Sequence, residues 1–155
     1  MLTQPRSFNY TKTCNNNFDL TFDNSLWGKV LKSQYTILIA DRNSHIREFL
    51  RREMSKEGFR ILQAEKGKDV INIVYQCCPP DLVLVDPDLP DMKEALLLEI
   101  ISLRSPPMPV IIHAFDSMDT DYFLYLKQSA FVEKGAQSVE KLKQVVFEIL
   151  GVEKC

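Results

Sequence analysis

A chain of 155 residues, 45% hydrophobic and 26% charged, fits one globular domain able to bury a real core. A net charge of -2 and a pI near 5.7 exclude a bulk electrostatic drive toward nucleic acid or an anionic membrane. No apolar run approaches the roughly 18 residues of a spanning helix, and the first residues, MLTQPRSFNYTKTC, lack a signal peptide's apolar stretch.

Cys14, Cys77, Cys78 and Cys155 show no C-x-x-C spacing, and only His45 and His113 accompany them. A zinc site is therefore unsupported, and reduced thiols in a cytoplasmic protein are expected.

Residues 1–34 hold polar clusters such as Asn15-Asn16-Asn17, with isolated Phe8, Tyr10, Phe18, Phe22 and Trp27. Phe18, Leu20 and Phe22 alternate with Asp19, Thr21 and Asp23 at strand period. The expectation is a loosely ordered extension, with docking of its aromatics onto the domain or onto a second copy as the alternative.

From Tyr35 the pattern is regular, and 35–151 reads as one domain. TILIA (36–40) is a buried strand ending at Asp41. Ile46, Phe49, Leu50 and Met54 follow at helical spacing, capped by Asn43 or Ser44 and stopped by Gly58. FRILQA (59–64) is strand two, and Val70, Ile71 and Val74 mark helix two, which ends before Pro79-Pro80. DLVLVD (81–86) is strand three. Helix three covers about 92–104 and halts before Pro106-Pro107. PVIIHAF (109–115) is strand four, a fourth helix spans about 119–129, AFVEK (130–134) is strand five, and Ser138 to Leu150 is the last helix.

Strands that are continuous aliphatic runs are buried on both faces. Their alternation with helices predicts an α/β fold with a doubly wound, five-stranded parallel sheet. Function in such sheets gathers beyond the carboxyl ends of the strands. Asp41, Asp86, Ala114 and Lys134 stand at those ends. Pro87 and Pro90 keep a helix from starting at once, so the backbone stays open beside Asp86.

Two carboxylates and an ammonium at one rim suggest metal or phosphate chemistry. A hard cation such as magnesium takes oxygen ligands; Asp41 and Asp86 supply charge, and the backbone carbonyl of Asp88 supplies a third oxygen. Lys134 suits a phosphate as a point charge. Taken singly, each residue is better explained as part of a charge-balancing pair. Their joint placement favours a site. The five glycines form neither G-x-G-x-x-G nor a P-loop, and no G-x-S-x-G elbow is present. His45 and His113 read as surface or packing residues.

"TILIAD" (36–41), Arg47, "PDLVLVDPDLPDM" (80–92), "PVII" (109–112) and "FVEK" (131–134) together resemble the receiver domain of two-component response regulators. The resemblance implies a flavodoxin-like sheet of order 2-1-3-4-5 and a signalling domain in place of an enzyme. It implies that Asp86 accepts a phosphoryl group from a histidine kinase or a histidine phosphotransfer protein, with Mg2+ bound beside it. Asp41 would belong to the acidic pair, Lys134 would contact the phosphoryl oxygens, and Ala114 and Phe131 would hold the switch positions.

The departures are specific. Arg42 replaces the second acid after strand one, Ala114 a hydroxyl residue, Gly135 a proline after the lysine, and Glu94 a small residue. The Arg42 guanidinium can either substitute for metal charge beside Asp86 or swing out to solvent, and Mg2+ binding is expected to be weak. The sequence thus predicts a stand-alone receiver that relays a phosphoryl signal to a downstream protein target, without nucleic-acid or membrane contact. The alternative is a pseudo-receiver, an interaction or homodimerisation module that is not efficiently phosphorylated.

Overall fold

The computed structural model describes residues 34–115 and 129–152. Five aliphatic segments form β1 (Thr36–Ala40), β2 (Arg60–Ala64), β3 (Leu82–Val85), β4 (Val110–Ala114) and β5 (Ser129–Glu133). All pair in parallel, in the order β2-β1-β3-β4-β5. Every residue of the central β3 is buried, which explains why LVLV is apolar without alternation.

The sheet is covered on both sides by α1 (Ser44–Lys56), α2 (Gly67–Val74), α3 (Glu94–Ser102) and α4 (Ser138–Leu150). Successive strand residues point to opposite faces. Leu38, Val83, Val85 and Ile112 therefore meet Val70 and Val74 of α2 and Leu97, Leu98 and Ile101 of α3. Ile37, Ile39, Leu84 and Ile111 meet Leu50 and Met54 of α1 and Leu142 and Val146 of α4. Lys143 of α4 is buried, yet it bonds Glu53 and pairs with Glu57 at the end of α1, so the two helices share a charge contact as well as a core.

Asn43 is the cap of α1: its side chain accepts from the N–H groups of His45 and Ile46. The last helix has the bounds its periodicity predicts, ending at Gly151 with φ 64. Helix three is shorter than the expected 92–104. Asp91 is drawn away to accept from Gly67 N at 2.6 Å and Lys68 N at 3.1 Å, supplying α2 with the side-chain cap that Lys66 does not provide. Met92 packs so near Gly67 that a Cβ there would lie 2.8 Å from Met92 Cβ. The loop after β3 is thus braced on α2.

The helix expected at 119–129 lies outside the described residues except at Ser129, which opens β5 instead of closing a helix; the extension expected at 1–34, apart from Gln34, lies outside them too. The expectation of reduced thiols needs correction. Cys77 is free and exposed, but Cys78, in an exposed bend before β3, is disulfide-bonded. Cys14 and Cys155, the two remaining cysteines, lie outside the described residues. Among the described residues no helix is long and apolar enough to cross a membrane.

Candidate functional site

Backbone hydrogen bonds carry the sheet register past the strand ends and so place the rim residues. Asp86 N donates to Ala40 O at 2.8 Å, Lys134 N to Ala114 O at 2.8 Å, and Asp41 N to Ala64 O at 3.3 Å. Three side chains converge as a result. Lys134 Nζ donates to Asp41 Oδ2 at 2.7 Å and also to Asp86 Oδ2. The side chains of Lys134, Asp41 and Asp86 are only 6%, 3% and 11% exposed.

The other carboxylate oxygens are held as well. Asp41 Oδ1 accepts from Asn43 N at 2.7 Å, and Asp86 Oδ1 accepts from Asp88 N at 3.0 Å. Arg47, reaching back from α1, donates through Nη1 to the carbonyl of Asp41 at 2.6 Å and to that of Arg42 at 3.2 Å. Burial works to lower the Lys134 pKa, but the bonds from Asp41 and Asp86 outweigh it and hold the ammonium above its usual value. The result is a closed, charge-paired centre at the carboxyl edge of the sheet.

Arg42 does not join this centre. Its Nη1 pairs with Asp88 Oδ2 at 3.2 Å, and both side chains are well exposed. Of the two orientations open to it, the outward one is found. Glu94 adds negative character to the rim: burial raises its pKa, and Asp86 and Asp88 raise it further. Ala114 and the half-buried Phe131 pack against the same core cluster, and among the described residues nothing lies within 4 Å of where a Cβ at Gly135 would stand.

Three residues near the centre were given no role there by the sequence. Asn43 stood only as a helix cap and Arg47 only among the residues that carry the receiver resemblance, yet both fix the loop after β1. The Phe115 ring is 67% exposed, with its centroid 5.3 Å from Lys134 Nζ, a cation–π contact. His113, read as a packing or surface histidine, is a packing one: it is 4% exposed. Burial lowers its pKa to about 4, with Lys134 adding to the effect against the opposing pull of Asp41 and Asp86.

The donor set fits a divalent cation only in part. Asp41, Asp86 and the Asp88 carbonyl are oxygen ligands of the right kind, but the inward carboxylate oxygens face the Lys134 ammonium. Among the described residues no group of three or more His, Cys, Asp or Glu side chains is arranged to hold a metal ion. Arg42→Asp exchanges a cation for a further acid. A unit charge about 6 Å away, at an effective dielectric of about 20, is worth roughly 3 kcal/mol. Screening at an exposed position reduces this, so Mg2+ titration should show about tenfold tighter binding for the variant. Equal affinities would refute the role given to Arg42.

The family model for the response regulator receiver domain matches residues 37–146. The response regulator GtcR of Aneurinibacillus migulanus is 30% identical over 112 residues, 71% of this chain and 46% of that protein. The DNA-binding transcriptional regulator NtrC of Proteus hauseri is 34% identical over 96 residues, 61% of this chain and 20% of that protein. The chain therefore spans less than half the length of these two curated relatives. Among solved structures, the response regulator TrrA of Thermotoga maritima, in complex with Mg2+-BeF, superposes with a TM-score of 0.66. It is 24% identical, with 74% of this chain and 98% of that chain covered. A family model spanning most of the described fold and the shared strand order lead to one conclusion: the chain belongs to the response regulator receiver domains of two-component signalling.

Proposed function

We propose that this receiver accepts a phosphoryl group on Asp86 from a histidine kinase or a histidine phosphotransfer protein, and signals through contacts with a downstream protein target. The observation that carries this reading is the carboxylate of Asp86 at the end of the central strand, with the Lys134 ammonium against its Oδ2. In the transfer, an Asp86 oxygen forms a bond to phosphorus as the phosphorus–nitrogen bond of the phosphohistidine breaks, and the imidazole keeps the electron pair. Such chemistry depends on positioning and charge neutralisation. Lys134 neutralises the oxygens of the incoming group, and the Asp86–Asp88 turn fixes the angle of the nucleophile. Mg2+, when bound by Asp41, Asp86 and the Asp88 carbonyl, supplies further positive charge against those oxygens.

Acetyl phosphate with Mg2+, followed by intact mass, tests the reading. One added phosphoryl group is expected, lost in Asp86→Asn and mapped to Asp86 after borohydride trapping. Label elsewhere with Asp86 clean rejects the assignment. Absence of label in the native chain favours the second reading, an interaction or homodimerisation module that works without phosphorylation. Arg42, Ala114 and carboxylate oxygens that are each already engaged in a hydrogen bond support that alternative.

Ala114 bears on switching. A hydroxyl at this position would offer the phosphoryl group one charge-assisted hydrogen bond, worth roughly 1.5–3 kcal/mol or about one to two decades in a population ratio. A ligand shifts an equilibrium only by its differential affinity for the two states. Amide NMR shifts around Phe131, β5 and α4 should therefore change only slightly on adding beryllofluoride, and Ala114→Thr should enlarge the change. A full response in the native chain, unaltered by Ala114→Thr, would point to another switching route.

A further inference from the structure

The outer face of α3 is apolar where a helix normally meets water. Leu97, Leu98 and Ile101 fill the core, yet Leu96 and Leu103 remain 48% and 73% exposed. With the half-buried Ile100 they form one stripe at helical spacing. Tyr75, 51% exposed, widens it: its hydroxyl donates to Ile100 O at 2.8 Å, which lays the ring along α3. A contiguous apolar patch of this kind marks a binding surface.

We infer that this patch is covered by the residues preceding β1 of the same chain, numbers 1–33. Three observations select that occupant. The chain enters the fold at the same edge of the sheet: Thr36 N bonds Asp81 Oδ2 at 2.7 Å, and Arg104 Nε, just past α3, bonds Val74 O at the end of α2 at 3.0 Å.

Reach is ample, because the 8 residues from Trp27 to Tyr35 extend to about 26–29 Å, whereas neighbouring strands are about 5 Å apart.

The chemistry is complementary. Residues 1–33 carry Phe8, Phe18, Leu20, Phe22 and Trp27, and they hold four basic residues (Arg6, Lys12, Lys29, Lys32) against two acids (Asp19, Asp23). The α3 helix has Glu94 and Glu99 and no basic residue.

Trp27 is the only tryptophan, so its fluorescence in the full chain reports the docking. The emission should lie well to the blue of that in urea. The doubly substituted Leu96→Asp/Leu103→Asp chain should move toward the urea position while its far-UV circular dichroism stays native. Both side chains are exposed, so the fold should tolerate the change; Leu103→Ala serves as a milder variant, expected to give a smaller shift in the same direction. A native emission already at the urea position overturns the inference, as does a blue emission that neither variant moves. A blue shift that disappears on dilution would assign the patch to a second copy and also overturn it.

Discussion

Lys134→Met is expected to destabilise the fold by about 3–5 kcal/mol at neutral pH, two to nearly four decades in the folding constant. Removing one partner of a buried ion pair leaves an uncompensated charge, and that penalty sets the scale. Two carboxylates are stranded in this case. Asp41 and Asp86 are 3% and 11% exposed, and the ammonium serves both. Methionine nearly matches the length of the lysine stem, so the cavity term is small beside the electrostatic one.

Urea unfolding at neutral pH measures the loss. A value under about 1 kcal/mol would show that the cluster is not the charge-paired centre described above.

His113 predicts an acid sensitivity of comparable size. Its ring is 4% exposed in β4, its Nε2 finds no hydrogen-bond partner among the described residues, and burial, aided by Lys134, depresses its pKa from 6.5 to about 4. Between those values the unfolded chain binds a proton that the folded chain refuses. Stability is thus fully present above 6.5, falls by about 1.4 kcal/mol per pH unit below it, and levels off near 4, a loss of about 3 kcal/mol from this group alone.

His113→Leu removes both the slope and the orphaned nitrogen. Leaving a buried polar atom unpaired costs about 1–3 kcal/mol, so the variant should equal or exceed the native stability at pH 7. Below pH 6 it should be clearly more stable. Parallel pH profiles for the two chains would mean that His113 is protonated in the fold, against the environment its burial creates.

Much of this arrangement is legible in the sequence, because the rules involved act between near neighbours. LVLVDPDLP specifies a strand buried on both faces, a carboxylate at its end and a loop that cannot coil at once. Asn43 two residues past Asp41 specifies the helix start, and the apolar spacing of Ser138 to Leu150 specifies the last helix to the residue. The same local rules overreach at helix three, because they cannot register that Asp91 serves α2, 23 and 24 residues away in sequence.

What the tertiary structure alone decided are the pairings of charge. Arg42 follows Asp41 directly, yet its guanidinium turns to Asp88 and leaves the centre to Lys134. Lys134 reaches Asp86 across 48 residues of chain and Asp41 across 93, and the buried His113 lies close enough to sense all three. Periodicity and turn chemistry determine which residues arrive at the rim, since each strand carries its own hydrophobic pattern. Which oxygen meets which nitrogen depends on strand order, register and rotamer together, and the parallel sheet sets these only once β1, β3 and β5 have been brought side by side or within side-chain reach.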